Sequence, residues 1–180
     1  MAYGGSVLMA RHREIERKFL VKELPDGWRH ASSARIVQGY FDLKDKTVEI
    51  RLRRKASHCS ITFKVGQGRN RLEEELFVSE TQFRALWPLT RRARIAKRRY
   101  QIPWNGCIIE LDVYKGPHRG LITAEVEFDT EHKTDGFRPP PWFGREVTQS
   151  GRFGNAQLAR SQRLPPPAKP RKKLIYGLLF

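Results

Sequence analysis

The chain has 180 residues and a formal net charge of +16, from 35 Lys and Arg against 19 Asp and Glu. That length suits one domain with a substantial core, and no stretch approaches the roughly 20 apolar residues of a membrane span. The basic balance favours an anionic partner (nucleic acid, acidic lipid or a polyphosphate) without choosing among them. The two cysteines, Cys59 and Cys107, fit neither a metal-ligand spacing nor a disulfide framework. They read as reduced, buried thiols of a cytoplasmic protein.

Residues 1–12 read as a flexible N-terminal lead-in, and Met1 to Ala10 lack the basic region and apolar run of a secretory leader. Eight strand-like segments follow, at 13–21, 36–43, 47–55, 59–65, 71–78, 94–102, 107–114 and 122–129. Each alternates apolar with polar residues or is rich in β-branched ones. Turn signals separate several of them: Lys44-Asp45-Lys46, Gly66-Gln67-Gly68 and Trp104-Asn105-Gly106. Short strands in succession with tight turns predict antiparallel pairing in a sandwich or barrel.

Two stretches break the pattern. Ser79-Glu80-Thr81-Gln82 is a capping box. Phe83, Leu86 and Trp87 fall at helical spacing after it, and Pro88 stops the turn. A second short helix is expected over 152–163 from Phe153, Ala156, Leu158 and Ala159. Residues 137–143 between them read as a Pro-rich loop. The domain is expected over 13–164, followed by a basic, Pro-rich tail at 165–180. Removing the tail's Lys169, Arg171, Lys172 and Lys173 leaves +12, so the domain itself is basic.

Successive side chains of a strand point to opposite faces. Glu14, Glu16 and Lys18 therefore share one face of the first segment. Glu49, Arg51 and Arg53 share one face of the third, opposite Val48, Ile50 and Leu52. The fourth sets Thr62 and Lys64 against Ile61, Phe63 and Val65. The fifth sets Arg71, Glu73 and Glu75 against Leu72, Leu76 and Val78, with Glu74 on the apolar side. Lys97 and Arg99, then Glu110 and Asp112, then Glu125 and Glu127 repeat the parity in the last three. A half-solvated antiparallel sheet alternates in the same way, and for any single segment that is the commoner cause. The distinguishing feature is like charge on one face: Glu-x-Glu at 14/16, 73/75 and 125/127, and Glu-x-Asp at 110/112. Such neighbours repel unless something neutralises them. A hard divalent cation does so through carboxylate oxygens, while nearby Arg and Lys suit phosphate oxygens. His58, His118 and His132 read as surface residues, and the four tryptophans as core or cap packing. Of the cations between Arg91 and Arg99, those other than Lys97 and Arg99 are expected to face solvent or a loop.

These segments resemble the CYTH superfamily, the triphosphate tunnel metalloenzymes. The signature is Glu14-Ile15-Glu16-Arg17-Lys18. It is followed in the family's order by Gln38-Gly39-Tyr40, Glu49-Ile50-Arg51-Leu52-Arg53, Thr62-Phe63-Lys64, Arg71-Leu72-Glu73-Glu74-Glu75 and Lys97-Arg98-Arg99-Tyr100. Glu110-Leu111-Asp112-Val113, Ala124-Glu125-Val126-Glu127-Phe128, Trp142 to Thr148 and Arg152-Phe153-Gly154-Asn155 complete it, over roughly residues 12–160. The likeness is greatest to the family's short bacterial members, the inorganic triphosphatases.

The resemblance implies a mainly β fold: an eight-stranded antiparallel β-barrel forming a tunnel, with a few short helices. It implies Mg²⁺ or Mn²⁺ held by Glu14, Glu16, Glu73, Glu75, Asp112, Glu125 and Glu127. It implies triphosphate contacts from Lys18, Arg51, Arg53, Lys64, Arg71, Lys97 and Arg99, with Lys18 and Tyr40 assisting catalysis. The partner is a small triphosphate rather than a nucleic acid or a membrane, and a homodimer is compatible with the reading. The expected reaction is hydrolysis of inorganic tripolyphosphate to pyrophosphate and phosphate. The rival readings are adenylyl cyclase or thiamine triphosphatase activity on the same fold, a polyphosphate- or RNA-binding module without catalysis, and a sandwich without a site.

Overall fold

The computed structural model describes residues 15–45, 47–67 and 70–165, and for Gln67, Asn70, Arg71 and Glu131 the backbone alone. The lead-in expected at 1–12, Glu14 and the tail beyond Pro165 lie outside the described residues.

All eight expected segments are strands: β1 Ile15–Val21, β2 Ser32–Tyr40, β3 Val48–Lys55, β4 His58–Gln67, β5 Asn70–Val78, β6 Arg94–Trp104, β7 Cys107–Tyr114 and β8 Ile122–Phe128. A ninth, β9 Phe143–Glu146, joins them. They form one sheet in the order β5-β4-β3-β2-β6-β7-β8-β1-β9, and every pairing is antiparallel. The expected antiparallel architecture is therefore present, with one strand more than expected and with its two outermost strands, β5 and β9, not bonded to each other. The sequence reads the region before β9 as a Pro-rich loop. Four residues carry too little alternation to register as a strand, and β9 owes its conformation to pairing with β1 at Phe19↔Glu146 and Val21↔Phe143.

The sheet is strongly curved. In a flat sheet β2 and β1 would stand about 19 Å apart, four strand spacings. Here Tyr40 of β2, Ile95 of β6, Tyr114 of β7 and Leu20 of β1 pack into a single cluster with Phe153, Leu158 and Ala159. The last two belong to α3, Asn155–Ser161, which follows a 3₁₀ turn at Gly151–Phe153. Helix α3 thus fills one end of the hollow that the curved sheet forms.

Two further clusters cover the outside. Phe19, Ile109, Leu111, Ala124, Val126 and Phe128 pack under Trp142 and Phe143, with Trp28 and Phe137 at the margin. Leu52 and Cys59 pack under Phe83 of α1, Glu80–Leu86. The capping box is present: the Ser79 hydroxyl accepts from the Gln82 amide at 3.1 Å, and the Gln82 side chain accepts from the Ser79 amide at 2.7 Å. A third short helix, α2 Glu131–Gly136, was not legible in the sequence. It shows no apolar periodicity, and its visible signal is the Thr130 hydroxyl accepting from the Lys133 amide. Among the described residues no helix is long and apolar enough to cross a membrane.

Two glycines have structural reasons. Asn105 (φ 43°) and Gly106 (φ 77°) both take left-handed backbone, the combination a two-residue hairpin between β6 and β7 requires. Gly39 makes room for Thr90: a Cβ there would stand 2.3 Å from Thr90 Oγ1 and 2.5 Å from Thr90 Cβ. Gly39→Ala is therefore expected to destabilise the fold by about 1–3 kcal/mol through overpacking. A urea unfolding curve measures this, and an unshifted midpoint would contradict it.

Candidate active site

Residues directly opposite in an antiparallel pair project to the same side. Register therefore decides which of the charged residues share a face. Glu73 is opposite Lys64, and Lys64 is opposite Glu49. Glu75, Thr62, Arg51 and Tyr40 form the next row. Arg53 faces Gln38 and Gln38 faces Ile95. Lys97 faces Tyr114, and Arg99 faces Asp112. Glu110, Glu125 and Lys18 form one row, Glu127 and Glu16 another. These rows are related by two-residue steps along each strand, so every described site residue expected from the sequence falls on one face, the hollow one. Arg71 shares the parity of Glu73 and Glu75, but its side chain lies outside the described residues.

On β1 and β6–β8 the charges are locked together. Lys18 Nζ lies 2.5 Å from Glu125 Oε1. Arg99 spreads its fork over three acids. Its Nε and Nη2 donate to the two oxygens of Asp112 at 2.7 Å each, Nη2 also donates to Glu125 Oε2 at 2.7 Å, and Nη1 donates to Glu110. Lys97 donates to the remaining lone pair of Asp112 Oδ2. Lys97 and Asp112 are 1% and 0% exposed, so this pair is sealed from solvent. Burial pushes the Lys97 ammonium down, and Arg99 beside it adds to that against the pull of Asp112. Burial pushes the Glu125 carboxyl up, but Lys18, Lys97 and Arg99 outweigh it and hold the group far below the ordinary carboxylate range.

On β3–β5 a second cluster is more open. Arg53 Nη2 donates to both Glu75 oxygens, at 2.9 and 3.0 Å. Arg51 Nη2 donates to Thr62 Oγ1 at 3.0 Å and to Glu75 Oε2 at 3.4 Å, and the Thr62 hydroxyl donates to Glu75 at 2.9 Å. Lys64 pairs with Glu73 at 2.6 Å. Burial pushes the Glu75 carboxyl up, and Arg53, Thr62 and Arg51 together bring it below its usual value.

The two ends of the face differ. At one end Tyr40 and Tyr114 are almost fully enclosed beneath α3. Tyr40 accepts from Gln38 Nε2 at 2.6 Å. Burial drives its phenol well above the usual range despite Arg51 nearby, so it stays protonated. At the other end Glu16 and Glu127, directly opposite one another, are exposed.

The expected metal ligands are distributed rather than gathered. Glu73 and Glu75 belong to the β3–β5 cluster, Asp112 is saturated by Lys97 and Arg99, and Glu14 lies outside the described residues. Among the described residues no three acids, histidines or cysteines stand close enough together to hold an ion. The donor chemistry nevertheless fits a hard divalent cation. Glu16, Glu125 and Glu127 offer only carboxylate oxygen, on the adjacent strands β1 and β8.

Several participants appear in the sequence patterns without a role assigned to them there. Glu110, Thr62 and Gln38 were legible by parity, since each stands two residues from a named site residue. Asn155 stood in the motif Arg152-Phe153-Gly154-Asn155, but neither parity nor charge marked it for this face. One expectation here is corrected. His118 is not a surface residue: it is fully buried, with Nε2 2.9 Å from the Leu158 carbonyl, because the β7–β8 turn tucks beneath α3. Arg94 takes the loop side of its expectation: its guanidinium lies 4.2 Å from the Trp87 ring and donates to Thr90 Oγ1 at 3.1 Å, both in the connection between α1 and β6.

Comparison with known proteins agrees with this geometry. A family profile for the CYTH domain matches residues 12–161. An inorganic triphosphatase of Nitrosomonas europaea is 44% identical over 150 residues, covering 82% of this chain and 97% of that protein. One of Acetivibrio thermocellus is 34% identical over 155 residues, covering 83% and 94%. The crystal structure of the inorganic triphosphatase NE1496 superposes with a TM-score of 0.66 at 40% identity, over 82% of this chain and 94% of that one. A profile match over most of the chain, two curated relatives matched over nearly their full length and a charged face assembled by strand register lead to one conclusion: the chain belongs to the CYTH-domain family.

Proposed function

We propose that this protein is a divalent-metal-dependent triphosphatase that hydrolyses inorganic tripolyphosphate to pyrophosphate and phosphate. The observation that carries the reading is the mutual neutralisation of acids and bases on one curved face. A polyanion binding alone would strip Lys18, Arg51, Arg53, Lys64 and Arg99 from their carboxylates and leave those acids unpaired. A cation binding alone would do the reverse. An anion and a divalent cation arriving together exchange partners with the face and leave no charge uncompensated, which a pure polyanion binder has no use for. The similarity to two proteins named inorganic triphosphatase supports the substrate.

Within this reading Glu16, Glu125 and Glu127 are the carboxylates that would hold Mg²⁺ or Mn²⁺. When bound, such an ion supplies a Lewis acid for phosphoryl oxygens and a water of lowered pKa. Arg51, Arg53 and Lys64 would hold the phosphate chain from one side, and Lys18 and Arg99 from the other, offsetting charge that develops in the transition state. Tyr40, held protonated by burial, serves as a hydrogen-bonding group rather than a base. Lys97 acts from behind Asp112. A reducing, cytoplasmic location is consistent with two free cysteines.

Phosphate release over tripolyphosphate, ATP and thiamine triphosphate, with Mg²⁺ and Mn²⁺ titrated, tests the proposal. The expected result is metal-dependent turnover that is fastest on tripolyphosphate. No turnover of tripolyphosphate by protein that binds the metal would refute it, and faster turnover of either organic substrate would move the assignment within the fold. Glu16→Gln separates enzyme from binding module: it should abolish turnover in the first and strengthen polyphosphate binding in the second.

A further inference from the structure

The enclosed end of the face is tied to the charged cluster by one polar side chain that the triphosphatase reading leaves without a role. Asn155 is the first residue of α3. Its Oδ1 accepts from the Tyr114 hydroxyl at 2.9 Å and from Lys97 Nζ at 3.5 Å. Tyr114 also backs Lys97, whose Nζ lies 5.5 Å from the ring centroid. Lys97 passes the constraint to Asp112, and Asp112 holds the fork of Arg99. A single amide oxygen therefore stands at the head of a chain running from α3 to the guanidinium that contacts Glu110, Asp112 and Glu125.

Packing alone does not call for a polar group at this position. Leu158 and Ala159 are completely buried and already seat α3 against Tyr40, Ile95 and Tyr114, and the Leu158 carbonyl meets His118 from the β7–β8 turn. Asn155 is half-buried, and an amide drawn even partly out of water is retained with benefit only where its hydrogen bonds are made. Lys97 is fully enclosed with an ammonium that carries three N–H donors. Asp112 and Asn155 are the hydrogen-bond acceptors the structure gives it. Without Asn155 the ammonium must draw closer to Asp112 or turn away, and Arg99 shares both oxygens of that carboxylate.

We propose that Asn155 is a positioning residue. Its side-chain carbonyl latches α3 to Lys97 and Tyr114, and through Asp112 it fixes the orientation in which Arg99 meets a phosphate chain. The kinetic consequence rests on the triphosphatase reading; the latch itself does not.

Asn155→Leu keeps the branched heavy-atom skeleton and removes the acceptor, while Asn155→Asp keeps the acceptor. The Leu variant is expected to lose about tenfold to a hundredfold in kcat, as loss of a supporting hydrogen bond behind a charged site does, with KM changing less than kcat. The Asp variant is expected to recover most of that loss. Amide hydrogen exchange across 155–161, read without substrate, should quicken about tenfold in the Leu variant and remain near wild type in the Asp variant. If the Leu variant does not fold, Asn155→Ala, which removes the acceptor without crowding, replaces it in both measurements. Wild-type exchange in the Leu variant overturns the latch, and so does an Asp variant as impaired as Leu. Faster exchange with unchanged kcat overturns the positioning role. A wild-type protein that does not turn over tripolyphosphate defeats the triphosphatase reading instead, and the exchange comparison then decides on Asn155 by itself.

Discussion

Replacing Arg99 by alanine is expected to cost the fold about 3–5 kcal/mol and to lower triphosphate turnover by about two to three orders of magnitude. Both effects come from the same guanidinium. Arg99 touches Glu110, Asp112 and Glu125 at once, and its side chain is 13% exposed. Deleting it leaves Asp112 to Lys97 and Glu125 to Lys18, with Glu110 deprived of its cation. Burial opposes the charged form of Arg99, yet Asp112, Glu125 and Glu110 together raise its pKa well above the ordinary guanidinium value, so it remains a cation at every accessible pH. Removing one member of a buried ionic network is costly because the unpaired partner charges remain buried. Arg99→Lys should recover little. An ammonium is a point charge and cannot reproduce the two parallel bonds from Nε and Nη2 to Asp112 while Nη1 reaches Glu110. Urea unfolding and steady-state phosphate release on the same preparations measure the two effects. Native stability in the Ala variant would show that the three carboxylates relax into water, and the enclosed network described above would then be wrong.

What the sequence reveals of this network, and what it conceals, follows from the geometry of strands. A period of two is a property of one strand, so the sharing of a face by Glu16 and Lys18, by Arg51 and Arg53, or by Glu125 and Glu127 can be read from spacing alone. Which residue meets which is a property of register between strands. The sealing of Lys97 against Asp112, and the convergence of Arg99 on carboxylates from β7 and β8, depend on pairings such as Arg99↔Asp112 and Glu110↔Glu125 that no spacing encodes. Register also sets which of the residues expected to bind metal or phosphate pair with one another in the structure without ligands. Asp112, expected as a ligand from its parity, is paired in this structure with Lys97 and Arg99. Tyr40 had the position of a catalytic group and is enclosed by a helix more than a hundred residues later in the chain. The helix at 79–87 was legible because its cap is local. Strand β9 and helix α2 were not, since one depends on β1 for its conformation and the other lacks an apolar stripe. His118 illustrates the same limit: a lone histidine in a Gly- and Pro-flanked turn looks solvent-exposed until α3 is placed over it.

Glu125→Gln should flatten the acid side of the stability profile and cost about 3 kcal/mol at neutral pH, where it removes the carboxylate from the buried pair with Lys18. The sign follows from the direction of the shift. Burial raises the Glu125 pKa, but Lys18, Lys97 and Arg99 more than reverse it, so the folded-state value lies below the unfolded one. A depressed carboxyl contributes stability that is fully present above the unfolded pKa, about 4.3. That contribution is lost as pH falls toward the folded value. Between those limits the unfolded chain binds the proton and the folded one does not, and stability declines by about 1.4 kcal/mol per pH unit for this one group. Glu75 and Glu146 are depressed too and act in the same direction, so the wild-type profile alone cannot isolate Glu125. The difference between wild type and Glu125→Gln does. That difference, from urea midpoints at pH 7 and at steps below pH 4, should shrink steadily as the solution is acidified, because the unfolded wild-type chain takes up a proton at Glu125 that the Gln variant has no group to bind, which favours unfolding of wild type alone. A difference that stays constant down to pH 2.5 would mean that the cations around Glu125 do not hold its proton off, and the pairing of Lys18 with Glu125 would lose its place in the account of this face.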